Sequence, residues 1–398
     1  VSSRGELGRN LAVAAIAVAA TASLIGVGYA LGRRQASRPF AALFAGHETA
    51  RTLAQLVPPE RRAVVAQAYL DPDAALAHFD EIPWTPRYAA APFLGFAPAP
   101  GGQPGATIDA LSMRGAGAPR MPKPAGTLRV FVTGGSVAFG AGAPADDRTI
   151  GAFLQTALNE TARADGRRVE VFTLAAPGWT STHERIAIEN RLSELAPDLV
   201  ISFSGINDLY LGSIGRDPLW SRSFGDQLFW DLLGEAHRVA GEAPPADVAP
   251  EGQPPLAPDE VARRVEKNVR LAAQTLEPGG ARYLYAFQPN IAYAVKQLTP
   301  REMQILSRYR FRDFNRSGHA LIDRRLRALV LPGFRYADLA DVFATVPAGQ
   351  EIFLDTGHLG DRGNHIVAER LAAEVAPLLA PSVPAPDATK ISPRQPGS

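Results

Sequence analysis

Four short segments carry residue types that together could cleave an acyl bond. Residues 128–133 (LRVFVT) run directly into Gly134-Gly-Ser-Val-Ala-Phe-Gly140. An apolar strand, then small residues around a serine, then a helix is how a hydroxyl nucleophile is presented at a sheet edge. The small residues allow the sharp turn, and the helix start offers N–H groups to a developing anion. A phosphate-binding loop would need a Lys-Ser/Thr after the glycines, and a dinucleotide fold would need its own glycine spacing; both are missing. The second segment, Ala175-Ala-Pro-Gly-Trp-Thr-Ser181, holds a glycine that lets the main chain approach a ligand and offer its N–H. In the third, Ser204-Gly-Ile-Asn-Asp-Leu209, Asn207 can aim its amide into a cleft at a strand end. The fourth, Asp355-Thr-Gly-His358, sets an acid and an imidazole three residues apart, a spacing that suits a general base and its orienting carboxylate. Asp208 reads as a structural hydrogen-bonding residue, and His365 as a rival base inside the final helix.

These residues need a frame. From about residue 127 the pattern alternates short apolar runs with amphipathic stretches. Strands are predicted at 128–133, 169–174, 198–204, 282–288 and 335–339, and helices near 149–164, 182–195, 259–276, 300–329 and 362–379. Five apolar strands each followed by a helix imply a parallel sheet covered on both faces, with function at the carboxyl ends of the strands. Residues 210–257 interrupt this pattern. Their first half carries Trp220, Phe224, Phe229 and Trp230, which suit a cap over the site, a docking surface or simply local core.

Upstream, residues 11–32 contain no charge, enough for roughly 33 Å of helix, the thickness of a bilayer core. Arg4 and Arg9 precede this stretch and Arg33 and Arg34 follow it, so the positive-inside rule gives no clear orientation. We read it as an uncleaved anchor after a short flank, 1–10. Residues 33–125 form a helical and extended connector. In it, helical periodicity spans 37–55 and 59–79, with a restart at Asp71-Pro72-Asp73, and a Pro/Gly/aromatic stretch from 82 to 102 packs over the next domain. The domain itself covers 126–380, and 381–398 form a Pro-rich tail.

Composition narrows the alternatives. The net charge of +1 with interleaved acids and bases leaves no nucleic-acid footprint. With no cysteine, thiolate nucleophiles, disulfides and Cys-zinc sites are excluded. The histidines His47, His78, His183, His237 and His319 form no spaced cluster, and no metal or organic cofactor is expected.

In order and position, the four segments resemble the blocks of the SGNH, or GDSL-like, hydrolases: GGSVAFG the Ser block, APGWTS the Gly block, GIND the Gly-x-Asn-Asp block and DTGH the Asp-x-x-His block. The resemblance spans roughly 127–379 and implies a three-layer α/β/α, flavodoxin-like domain with a five-stranded parallel sheet, preceded by one transmembrane helix. It also implies roles: Ser136 the nucleophile, His358 the base, Asp355 its partner, and the Ser136 N–H, the Gly178 N–H and the Asn207 amide the oxyanion donors. Two departures stand out. GGSV replaces the common GDS, and an alanine, Ala175 or Ala176, occupies the place of an Asn often found before the second-block glycine. The expected protein is a membrane-anchored serine esterase of the bacterial inner membrane, its domain periplasmic, acting on an acylated envelope glycan or lipid. The alternative is an accessory subunit of a larger membrane complex that reuses the fold and associates with other subunits.

Overall fold

The computed structural model describes residues 2–47, 50–115, 117–162, 166–216, 224–243 and 254–379. The first element is a helix, α1 (Ser2–His47), continuous through the charge-free stretch, the two arginines and Pro39. Within it Gly5–Leu43 reaches a mean hydropathy of 2.2 over its most apolar window, and none of that window is buried. This helix is long and apolar enough to cross a membrane, a length and composition that a signal sequence shares.

Residues 50–115 pack on the main domain as a small module. Strand β1 (Arg51–Thr52), helices α2 (Pro59–Ala66) and α3 (Pro72–Ala77), and β2 (Pro83–Thr85), which pairs antiparallel with β1, surround a core of Leu53, Val65, Tyr69, Phe79 and Ile82. Two hairpins follow, β3 (Tyr88–Ala91) with β4 (Gly95–Pro98) and β5 (Gly101–Gln103) with β6 (Ala106–Ile108). The helix predicted over 37–55 is corrected. It ends within α1, and Thr52 starts a short 3-10 turn whose Gln55 side chain accepts from the Thr52 N–H. The helix predicted over 59–79 breaks after Ala66 and restarts where Asp71 caps Ala74, at the expected Asp-Pro-Asp.

The main domain alternates strand and helix: β7 (Thr127–Gly134), α4 (Ser136–Phe139), α5 (Ile150–Ala162), β8 (Arg168–Ala175), α6 (Ser181–Ala187), β9 (Leu199–Ser204), α7 (Ile206–Ser213), α8 (Phe224–Ala240), α9 (Pro258–Leu276), β10 (Arg282–Phe287), α10 (Pro300–Arg308), α11 (Arg312–Arg327), β11 (Phe334–Asp338) and α12 (Asp361–Leu379). The five strands are all parallel in the order β8-β7-β9-β10-β11, the flavodoxin-like arrangement. Alternation along each strand divides the core. Val130, Val132, Ile201 and Leu284 face Leu154 of α5 and Leu371 of α12, while Phe131, Val200, Tyr283 and Tyr285 face Val265 of α9 and Ile322 of α11.

The helix predicted over 300–329 is two. Tyr309 leaves the helical conformation at ψ 98°, and its hydroxyl accepts from Asn315 at 2.7 Å, so a side chain across the bend holds what no proline or glycine announced. In the 210–257 segment, α8 lies against α1 and the β3–β4 hairpin. The side chains of Trp220, Phe224 and Phe229 lie outside the described residues, as does the tail from 380 onward.

Candidate active site

The four segments meet at the carboxyl edge of the sheet. Ser136 opens α4 directly after β7. Gly134 must be glycine: its φ is +154°, and a Cβ there would lie 2.3 Å from the Phe203 carbonyl oxygen of the neighbouring strand. Gly135 is glycine for a different reason. A Cβ there would sit 2.3 Å from Nδ2 of Asn207, so the second glycine of GGS makes room for the asparagine of the third segment.

His358 reaches Ser136 from the far end of the chain. Its Nε2 lies 2.7 Å from Ser136 Oγ, and its Nδ1 lies 2.7 Å from Asp355 Oδ2. The other carboxylate oxygen, Oδ1, accepts the backbone N–H groups of Gly357 at 2.9 Å and His358 at 2.8 Å. Burial acts to raise the Asp355 pKa, but the His358 charge and hydrogen bond, with the two N–H donors, outweigh it and hold the carboxyl at about 2. An ionised carboxylate only accepts, so Nδ1 carries the proton toward Asp355 and Nε2 is left to accept from the Ser136 hydroxyl.

The loop bearing Asp355 and His358 rests on a buried ionic platform. Glu302, fully buried at the start of α10, accepts the N–H groups of Ile352 and Phe353 at 3.0 and 3.1 Å and pairs with Lys296 at 2.6 Å. Arg301 donates to the carbonyls of Phe353 and Leu354 and pairs with Glu351. The repeated backbone bonds fix the loop's path rather than any one side chain.

Opposite lie the second and third segments. Ala176-Pro-Gly-Trp179 form a tight turn closed by the Trp179 N–H to the Ala176 carbonyl at 3.0 Å. Gly178 takes φ +91° in it, the glycine position of a type II turn. Asn207, on the first turn of α7, donates from Nδ2 to the Trp179 carbonyl at 2.7 Å, which leaves the second amide hydrogen uncommitted by that bond. Asp208 joins the two segments from beneath: it accepts from the Ser181 N–H at 3.0 Å and the Ser181 hydroxyl at 2.6 Å. It is thus a structural hydrogen-bonding residue. Burial raises its pKa against those two bonds. Beside it, buried Glu184 accepts from Ser204, and burial pushes its pKa to about 8.

His365 and His183 sit elsewhere. His365 lies on α12 in edge contact with Phe153, and His183 caps α6 by accepting from the Thr180 N–H at 3.1 Å. Among the described residues, no group of three or more His, Asp or Glu side chains could hold a metal ion.

One neighbour escaped the sequence reading. The indole of Trp84, from β2 of the module, lies against the His358 imidazole with ring centroids 4.3 Å apart. Its only signal was an aromatic residue between two prolines, Pro83 and Pro86.

A five-stranded parallel sheet in this order, flanked by helices on both faces, is the fold of the SGNH hydrolases. Residues 132–366 match the GDSL-like Lipase/Acylhydrolase family, and the chain belongs to it. The protein is a carboxylic ester hydrolase of the GDSL type. No curated protein matches the chain significantly. Among solved structures it is similar to a carbohydrate acetylesterase from Sinorhizobium meliloti (15% identity, 63% of this chain and 99% of that one, TM-score 0.37). It is also similar to an acetyl xylan esterase (15%, 62% and 100%, 0.35) and to an alpha/beta hydrolase from the metagenome of Lake Arreo, Spain (17%, 64% and 97%, 0.40).

Proposed function

We propose that this protein is a membrane-anchored serine esterase, with Ser136, His358 and Asp355 as its catalytic residues and an acylated envelope glycan or lipid as its substrate. The observation that carries this is the unbroken hydrogen-bond chain from Asp355 through His358 to Ser136. His358 Nε2 takes the hydroxyl proton as Ser136 Oγ adds to the ester carbonyl. Asp355 keeps the imidazole in the required tautomer and stabilises the cation it becomes. The N–H groups of Ser136 and Gly178 and the second amide hydrogen of Asn207 receive the oxyanion. Collapse of the tetrahedral adduct breaks the bond to the alcohol, which leaves with the proton from His358. Water, deprotonated by His358, then cleaves the acyl-serine and releases the acid.

The long exposed apolar helix supports membrane anchoring; we take the membrane to be the bacterial inner one, with the hydrolase domain on the periplasmic side facing envelope substrates. The test of substrate class uses the full chain in detergent or nanodiscs. It should release acid from O-acylated envelope glycan or from lipid ester, with a Ser136→Ala control releasing none. Hydrolysis of neither class, alongside good turnover of a soluble small ester, would refute the envelope substrate.

A further inference from the structure

We propose that Trp84 is a positioning residue of the ester hydrolysis, acting through His358, and that the module spanning 50–115 is therefore a built part of the active site. This rests on the reading of Ser136 and His358 given above. The indole sits 4.3 Å from the imidazole, ring centroid to ring centroid, and tilted by 49°, well inside the range where an aromatic ring attracts a cation. His358 is neutral while it accepts from Ser136 and positive from attack until the alcohol departs. The indole thus favours the reacting state over the resting one.

Trp84 can do this because its strand is fixed to the hydrolase domain on several sides. The Pro83 carbonyl accepts from the Gly142 N–H at 2.8 Å, one residue from the indole and just beyond the Ser136 helix. Tyr69 donates its hydroxyl to the Gly142 carbonyl at 2.9 Å. On the His358 side, Asp361 accepts from the Leu70 N–H at 2.7 Å and Arg362 donates to the Tyr69 carbonyl at 2.6 Å. Gly360 approaches Ala68 so closely that a Cβ would meet its carbonyl oxygen at 2.2 Å. Arg114, with a buried guanidinium, donates to the Phe139 and Gly140 carbonyls and so closes the end of the Ser136 helix. The module grips the serine side and the histidine side at once, with Trp84 between.

The experiment is steady-state kinetics of the full chain on a soluble aryl acetate, with thermal midpoints recorded for each variant. Trp84→Leu, and Trp84→Met should the former not fold, are expected to lower kcat about 3- to 30-fold at nearly unchanged KM, because the lost attraction exists only when His358 is charged. Trp84→Phe, which keeps a ring face, should recover most of the loss. Turnover of the aliphatic variants within twofold of wild type would overturn the proposal. So would a raised KM at constant kcat, or a Phe variant as slow as the Leu variant. Ser136→Ala in the same assay tests the nucleophile by itself, so the failure of one reading is distinguishable from that of the other.

Discussion

The imidazole of His358 lies 2.7 Å from the hydroxyl of Ser136 although 222 residues separate them in the chain. Two unrelated local devices produce that contact. Glycines at 134 and 135 turn the chain off β7 so that Ser136 starts a helix at the sheet edge. The Glu302–Lys296 pair and Arg301 hold the loop from Ile352 to His358 by its backbone.

Asp355→Asn should leave the loop near its present path but present the wrong hydrogen-bonding partner to Nδ1. A kcat loss of about 10⁴-fold with little change in KM is expected. Kinetics on an aryl acetate at pH 8 check it, and a loss under tenfold would remove Asp355 from the mechanism.

The same residue predicts an acid dependence of stability. Its folded pKa of about 2 lies below the unfolded reference near ~3.9, so its contribution is complete above the unfolded value and vanishes as pH falls toward 2. The thermal midpoint of wild type should therefore exceed that of Asp355→Asn at pH 6, and the two should converge between about pH 5 and pH 2. A gap that stays constant over that interval would contradict it.

Glu184 predicts the opposite sign. Its folded pKa of about 8 lies above the unfolded reference near ~4.3, so its stabilisation is full at low pH and is lost as pH rises to 8. Glu184→Gln should gain thermal stability relative to wild type as pH goes from 5 to 8 and level off above. The paired melting curves decide this, and a difference that stays flat from pH 5 to 8 would show that Glu184 is ionised in the fold.

Asn207→Ala removes a bond to the Trp179 carbonyl and, in the proposed mechanism, one of three oxyanion donors. A kcat loss of about 10²–10³-fold is expected. Gly134→Ala should instead act on folding, costing on the order of 1–3 kcal/mol in denaturant melts, because its Cβ has only the Phe203 carbonyl and Ala138 to meet.

Much of this was legible in sequence because the sheet is parallel and buried on both faces. Its strands are continuous apolar runs, and the candidate residues sit immediately past their ends, so finding β7, β8 and β9 also pointed to Ser136, Gly178 and Asn207. What could not be read depends on contacts between distant segments. Trp84 lies in a three-residue strand with no periodicity, and its meaning comes only from where Gly142, Asp361 and Arg362 pin its neighbours. The break at Tyr309 is set by Asn315 across the bend. The close approach of Gly135 to Asn207, 72 positions onward, is contained in no local pattern.

The most direct test of the central claim is active-site labelling of the full chain with a fluorophosphonate, read by intact mass and peptide mapping alongside aryl-ester turnover. One adduct per chain is expected, located on Ser136, abolishing turnover in proportion to its formation and slowed by several orders of magnitude in His358→Ala. A Ser136→Ala protein that folds like wild type and still hydrolyses the ester, or a wild-type protein that neither labels nor turns over, would contradict it.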